Sequence, residues 1–600
     1  MKRNLAIVVF VLLALGAFAC SKEEAKPAKN GKPKPAKVAV AEKPELKLQL
    51  SEADKQVLIG VARKTFELFI VEGKTYKPDD VPANLREMKS NRVFATLYIE
   101  GEWRGCVSAE GDTLIEATVQ SVINTCRDKR FKSPTPEEVG RFRVELSYLQ
   151  PMEEIATKDP AQIEKELEPG VDGIQVVHSS GKRAFFLPYV FVKKQRTTAE
   201  WLERLSAKAG LPKDAWKSPE TRIYRYGTIN FIEETPKGRS VDLYRYKVEL
   251  DDVPDGALDA AVAAALDWLK AQKDATAGRF RGGFDEDHKP LPPAAPKAHL
   301  AGLIGLGEAA EIAKDLNLAN DVRWGWDGLK DAVRTEGGAL EFVENGAADL
   351  EGALLLADLL GASGAVKGRR EMLGPIAASL AKLAGKDRPK PGKGAVIEDL
   401  PNYAVFVAAR LVRHTKDEKL KALVKDLVAR WWTAGGGWSA AAAIEAAKAL
   451  DDEALADRSL AEAKALVAAQ YGKADAPYAD YIGAFKSDGA PRTIDVAVRL
   501  RGLAFVYEAM GERDPEAKAA IGRALVFGLR WLLEQQFTDA SAFYIENYKT
   551  LVGAFKADIL VNTARVEDLG AGLAALVDVR RALGEAWPGL VAAHRAELVK

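Results

Sequence analysis

The sequence predicts a multidomain protein in which an α+β domain is followed by an all-α domain of paired helices. Three observations carry that prediction. Across the first third, short alternating apolar runs interleave with amphipathic segments without a regular strand–helix–strand order, which is the α+β pattern. Beyond residue 254 the composition shifts toward Ala and Leu, and helical spacing takes over. At 600 residues the chain exceeds one ordinary domain, so two or three folded units are expected.

Lys2 and Arg3 precede an apolar stretch, Leu5 to Ala19, too short for a comfortable membrane span and flanked like a signal peptide. It ends Ala17-Phe18-Ala19-Cys20, small residues framing a cysteine. This predicts a leader over 1–19, cleavage before Cys20 and lipid on Cys20, with about 0.8 kcal/mol of anchoring per buried methylene. Ala17 stands where such sites prefer Leu, so the alternative is a plain secretory signal cut at the same bond. Both readings export the protein. Residues 20–47 are rich in Lys, Pro, Ala and Glu without an apolar period, which predicts a flexible tether. With Ser21 next to the cysteine, analogy with lipoprotein sorting gives a cell-envelope location, on the outer membrane facing the periplasm. Lys plus Arg and Asp plus Glu number 86 each, so the basic excess of a nucleic-acid coat is missing and no such partner is expected. Cys106 and Cys126 are too few for a disulfide framework, and two separately buried thiols are the expectation.

The first folded unit spans about 48–236. Ser51 reads as an N-cap with Asp54 three residues on, and Val57, Val61, Phe66 and Phe69 recur at helical spacing. After a Pro- and Asp-containing turn at Lys77 to Pro82, Val93 to Ile99 alternates as a half-buried strand. Glu100-Gly101-Glu102 turns the chain, and Trp103 to Val107 returns beside it. Thr113 to Cys126 is an amphipathic helix, Arg143 to Leu149 alternates again, and Ile174 to His178 with Ala184 to Leu187 forms a hairpin across Ser180-Gly181. Glu200 to Ala209 is helical and stops at Gly210, and Ile223 to Ile232 is a strand.

Arg104-Gly105-Cys106, following the predicted hairpin turn, resembles the signature of the AMMECR domain family (AmmeMemoRadiSam system protein A-like). Supporting strings follow in the family's order: Arg127-Asp128-Lys129-Arg130-Phe131, Glu145-Leu146-Ser147-Tyr148-Leu149, Pro169-Gly170-Val171-Asp172-Gly173, Phe185-Phe186-Leu187-Pro188, Lys208-Ala209-Gly210-Leu211-Pro212 and Trp216. The family usually continues Arg-Gly-Cys into Ile-Gly-Thr, where this chain has Val107-Ser108-Ala109. The resemblance implies an α+β fold and a candidate pocket but no reaction. Arg104 could clamp an anion bidentately, Gly105 allows close approach, and Cys106 is a candidate nucleophile. Arg127 and Arg130 extend the set into a phosphate-type site. The bland alternative is that Gly105 closes a turn, Cys106 packs beneath it, and the arginines decorate a helix end. His178 reads as an exposed turn residue.

After a connector over 237–254, the second unit spans 255–600. Segments near 257–273, 297–315, 348–361, 370–384, 401–414, 417–432, 439–450, 455–470, 493–510, 515–536 and 566–583 each carry an apolar face, most separated by Gly, Pro or Asp. Two stretches repeat: Gly483-Ala484-Phe485-Lys486 leads to Arg492-Thr493-Ile494-Asp495, and Gly553-Ala554-Phe555-Lys556 leads to Arg565-Val566-Glu567-Asp568. Arg281-Gly282-Gly283-Phe284 and Gly435-Gly436-Gly437-Trp438 echo the Gly-aromatic part. Such loops resemble the inner-helix starts of six-hairpin α/α toroids, a fold shared by glycan hydrolases, epimerases, lyases and terpenoid cyclases. The fold expected is therefore an AMMECR-like α+β domain followed by an α/α-toroid-like helical domain.

In that fold Asp488, Asp495, Tyr544, Asp558, Asp568, Trp438 and His299 are placed near a central funnel. Paired carboxylates can act as acid and base on a sugar. The ordinary explanation of Arg492–Asp495 and Arg565–Asp568 at i, i+3 is an ion pair. His288 and His299 stand eleven residues apart with no third ligand, so neither metal nor cofactor is expected. Three functions compete: an AMMECR-like module holding a small anionic ligand while the toroid recruits an envelope partner, a periplasmic glycan-processing enzyme using the funnel, and a non-catalytic envelope scaffold.

Overall fold

The computed structural model describes residues 47–600 except 90–91, 194–195, 246, 249–252, 254–255, 386, 393–394, 488, 546 and 599–600. The leader, Cys20 and the tether lie outside the described residues, as does Asp488. Helix α1 (Glu52–Glu72) begins where expected: Ser51 and Asp54 form a reciprocal capping box, and Gly73 ends the helix in the left-handed region. A short α2 (Ala83–Glu87) leads to the hairpin of β1 (Val93–Ile99) and β2 (Glu102–Ala109), then α3 (Leu114–Cys126) and a long β3 (Phe142–Ile155). There follow α4 (Pro160–Glu166), β4 (Gly173–His178), β5 (Arg183–Phe186), α5 (Tyr189–Lys193), α6 (Thr198–Lys208), β6 (Thr221–Glu233), β7 (Ser240–Tyr244) and β8 (Lys247–Val248).

The strands form one antiparallel sheet in the order β2-β1-β3-β6-β4-β5, with β7 continuing from β6 and β8 from β7. α1 and α3 cover one end of it over Leu97, Val144, Leu146 and Phe231. α6 and Trp216 cover the β4–β5 end. Strands β7 and β8 correct the expected connector over 237–254. Val241 and Leu243 are buried at alternate positions, but the run is too brief beside its charged neighbours to read as a strand from sequence.

The second unit contains α7 (Ala257–Ala271), α8 (Pro296–Ala313), α9 (Leu316–Asp327), α10 (Leu350–Ala362), α11 (Arg369–Leu383), α12 (Leu400–Thr415) and α13 (Glu418–Arg430). It continues with α14 (Ser439–Leu450), α15 (Glu453–Ala469), α16 (Thr493–Ala509), α17 (Pro515–Gln535), α18 (Val566–Leu583) and α19 (Trp587–Leu598). The even-numbered helices from α8 to α18 touch in sequence, and α18 closes back on α8. Each has an outer partner: α9 on α8, α11 on α10, α13 on α12, α15 on α14, α17 on α16 and α7 on α18. This is a closed α/α toroid. Small residues permit the closure, since a Cβ on Gly305 would sit 2.6 Å from the Gly570 carbonyl oxygen. The sequence reading missed α9, α19 and a small meander over Val333–Glu336, Ala339–Glu344 and Ala347–Ala348. α9 carries Asn, Asp and Gly among its apolar residues, which blurs the helical period.

The Gly-Ala-Phe-Lys repeat is a repeat of structure. Gly483 and Gly553 share φ +96°, and each lies against a helix backbone carbonyl, Phe527 O and Ala264 O, leaving no room for a Cβ. Gln470 and Gln536 brace the two loops alike, donating to Gly483 O and Gly553 O at 2.9 and 3.0 Å. The α+β domain rests on the segments that lead into these loops. Tyr98 meets Phe543 edge-on, Arg143 donates to Ala540 O at 3.2 Å, and Arg245 and Lys247 reach Asp480. Tyr98, Ile232, Val241 and Leu243 thereby join the toroid's own hydrophobic core.

Candidate functional site

The Arg-Gly-Cys corner lies on β2 under α3. Arg104 is buried, donating to Lys132 O (3.0 Å) and Ser133 O and pairing with Glu138 at 2.9 Å. That guanidinium holds the Glu138 carboxyl down at about 2. A Cβ on Gly105 would stand 2.6 Å from Thr125 O, so the glycine lets α3 press onto the strand. Cys106 is 2% exposed and packs with Phe94, Leu149 and Tyr226, its sulfur 3.5 Å from Thr96 Oγ1. Its amide donates to Asp128 and its carbonyl accepts from Arg130, which also pairs with Asp128. Arg127 lies over the Phe69 ring. Arg104 and Arg130 thus brace the loop after α3 to the sheet, and Gly105 lies within β2 instead of closing a turn. Cys106 and Cys126 are free and buried, and burial pushes the Cys126 thiol up to about 12. His178 engages Ser180 Oγ and Glu220 with its two ring nitrogens.

Of the funnel candidates, His299 is fully buried beside Phe280. It accepts from the Phe280 amide at 3.2 Å and meets Gly325 O at 2.9 Å, and burial lowers it to about 4. Trp438 is core, its ring tilted against Tyr403 and Phe406 with Arg501 over it. Tyr544 is buried and hydrogen bonds Asn562, whose amide donates to Val192 O of the first domain.

The remaining acidic residues gather where α16 and α18 begin. Arg492 bonds Asp495 through two 2.9 Å contacts and Glu398 at 2.6 Å. The backbone of Arg492 pairs with that of Asp558, and the Asp558 carboxylate accepts the amides of Leu560 and Val561, fixing that loop to the start of α16. Arg565 pairs by its backbone with Gly283. Its side chain turns to Glu567 at 3.9 Å, so the expected Arg565–Asp568 pair is replaced. Asp568 is 8% exposed and has no ion pair among the described residues. Its carboxyl is pushed up to about 7, first by burial, then by the negative neighbours Glu567 and Asp558. Burial raises Glu567 as well.

Below this mouth the lumen is closed by charges that sequence reasoning missed. Arg410 bonds Asp358 (2.8 Å) and Glu308 (3.0 Å), Arg501 bonds Asp578 (2.6 Å) and Glu308 (3.3 Å), and Tyr403 donates to Asp358. The signal was present as single charges within Ala- and Leu-rich inner-helix runs, such as Leu355-Leu356-Ala357-Asp358-Leu359. Among the described residues no three His, Cys, Asp or Glu form a metal cage, and no helix is long and apolar enough to cross a membrane.

These features define a protein that joins an Arg-Gly-Cys α+β domain to an α/α toroid. A family model described as AMMECR1 matches residues 59–231, and the chain belongs to the AMMECR1 family through this domain. A curated protein of Methanothermobacter thermautotrophicus is 33% identical over 189 residues, 31% of this chain and 97% of its own. The crystal structure of an uncharacterized protein from Pyrococcus horikoshii matches at 29% identity and TM-score 0.30, covering 32% of this chain and 98% of that one. An α-1,6-mannanase of Salegentibacter sp. is similar at 11% identity and TM-score 0.41, covering 54% and 99%.

Proposed function

We propose that this chain is an envelope lipoprotein that processes a glycan at the toroid mouth, with Asp568 as proton donor. The observation that carries the reading is the Asp568 carboxyl, buried, without an ion pair among the described residues and titrating near 7 beside Asp558 and Glu567. A carboxyl poised there is protonated often enough near neutrality to protonate a leaving glycosidic oxygen, while Asp558 supplies the carboxylate partner. Lipid on Cys20 and the tether to residue 47 would hold the mouth within reach of envelope polysaccharide. The test is release of reducing ends from a panel of envelope glycans and oligosaccharides by the full chain. Turnover that Asp568→Asn lowers by about a hundredfold or more supports the reading. Turnover indifferent to that substitution overturns it.

A second reading, a non-catalytic scaffold, is favoured by the salt-bridged lumen. It is the outcome if no member of the panel is turned over.

A further inference from the structure

At the opposite end of the barrel, where the inner helices finish, lies a cavity of about 340 Å³, within the range of small-ligand sites. The network of Arg410 and Glu308 forms its floor, and Phe505 supplies an apolar wall. The lining carries both signs of charge, unevenly spread. Glu308 is shared by Arg410 and Arg501, Glu508 is taken by Arg581, and Glu311 accepts the Gly364 amide at 3.2 Å. On the α11–α14 side, Arg413 and Lys448 share one carboxylate, Glu445. Arg369 on the same side donates to the carbonyls of Leu360 and Gly361 instead of a carboxylate. His414 lies among these arginines. After burial, the charges of Arg369, Arg410 and Arg413 depress its pKa; burial also lowers that of Arg369, with the Glu311 carboxylate opposing and Arg370 and Arg410 adding to the shift. The basic side of this formed cavity is therefore the α12–α14 wall, where Arg413 and Lys448 have one carboxylate between them. An adjoining hollow of about 570 Å³ shares Gly364 and Arg369 and adds Arg323, Lys367 and Arg370.

We propose that this cavity binds a small organic dianion, a phosphate monoester or a dicarboxylate. Its charged end lies against Arg369, Arg413, His414 and Lys448, and its carbon skeleton against Phe505. Guanidinium and ammonium donors on one wall match the several acceptor oxygens of such a group. The site is separate from the mouth and stands whether or not the chain turns over a glycan.

Titration calorimetry of the full chain with inorganic phosphate and with succinate, at fixed ionic strength, reads the proposal. Saturable binding of at least one is expected, and the anion preferred distinguishes the phosphate ester from the dicarboxylate. Lys448→Gln leaves Glu445 paired with Arg413 and is expected to weaken binding about tenfold, as is Arg413→Gln. Lys486→Gln, which removes an exposed lysine paired with Asp475, leaves the Kd unchanged. No saturable heat with either anion overturns the proposal. So does binding that Lys448→Gln leaves intact, whether or not Arg413→Gln folds.

Discussion

Asp568→Asn tests the mouth through stability as well as catalysis. The carboxyl titrates near 3.8 in an unfolded chain and near 7 in the folded one. Between those values the folded state holds a proton that the unfolded state has lost, so stability falls as pH rises through the window. Below about pH 4 both states are protonated and the effect vanishes. Above about pH 7 both are ionised and the folded state bears the full cost of the buried charge. At 1.36 kcal/mol per pH unit, a separation of about three units amounts to about 4 kcal/mol. Asparagine has nearly the same shape without the ionisation. Asp568→Asn is therefore expected to stabilise the protein by up to about 4 kcal/mol at pH 8, a gain of several degrees in Tm, and to change little at pH 4. Paired thermal melts of wild type and variant from pH 4 to 8 provide the assay. An Asn variant that gains nothing at pH 8, or gains equally at every pH, refutes the argument. A variant that is more stable yet inactive matches the proposed role, since a buried acid costs stability to serve chemistry.

Three further outcomes are expected. Gly105→Ala drives a Cβ into the Thr125 carbonyl and should cost about 2–3 kcal/mol in the urea transition of the α+β domain; an unchanged midpoint would show that α3 can move away. Arg410→Met strips Asp358 of its ion pair and Glu308 of one of two, and should cost about 3–5 kcal/mol, read by denaturant unfolding of the toroid. Cys20→Ala should abolish incorporation of labelled palmitate and release the protein from the membrane fraction, whereas a wild type that takes up no label removes the anchor from the model of function.

Local chemistry fixed the elements that the sequence alone determined. The Ser51–Asp54 box, the stop at Gly210, the strand at Val93 to Ile99 (buried at every position and not on one face) and the Ala- and Leu-rich periods after 254 depend on residues within a few positions of one another. The ordered Arg-Gly-Cys strings likewise pointed to the right family. Tertiary structure decided what these residues do. Arg492–Asp495 and Arg565–Asp568 have the same spacing at the same kind of helix start, yet only the first forms an ion pair. In the second, Gly283 holds the Arg565 backbone, the side chain turns to Glu567, and Asp568 is left buried. Arg104 had the chemistry of an anion clamp, but Glu138, thirty-four residues away, fills its guanidinium. The lumen network joins five different inner helices, from Glu308 to Asp578, and even Asp358 and Arg410 stand 52 residues apart in sequence. Charge, burial and partnership are pairwise properties of distant segments. A sequence displays the donors, and the closed ring of helices determines which acceptor each one meets.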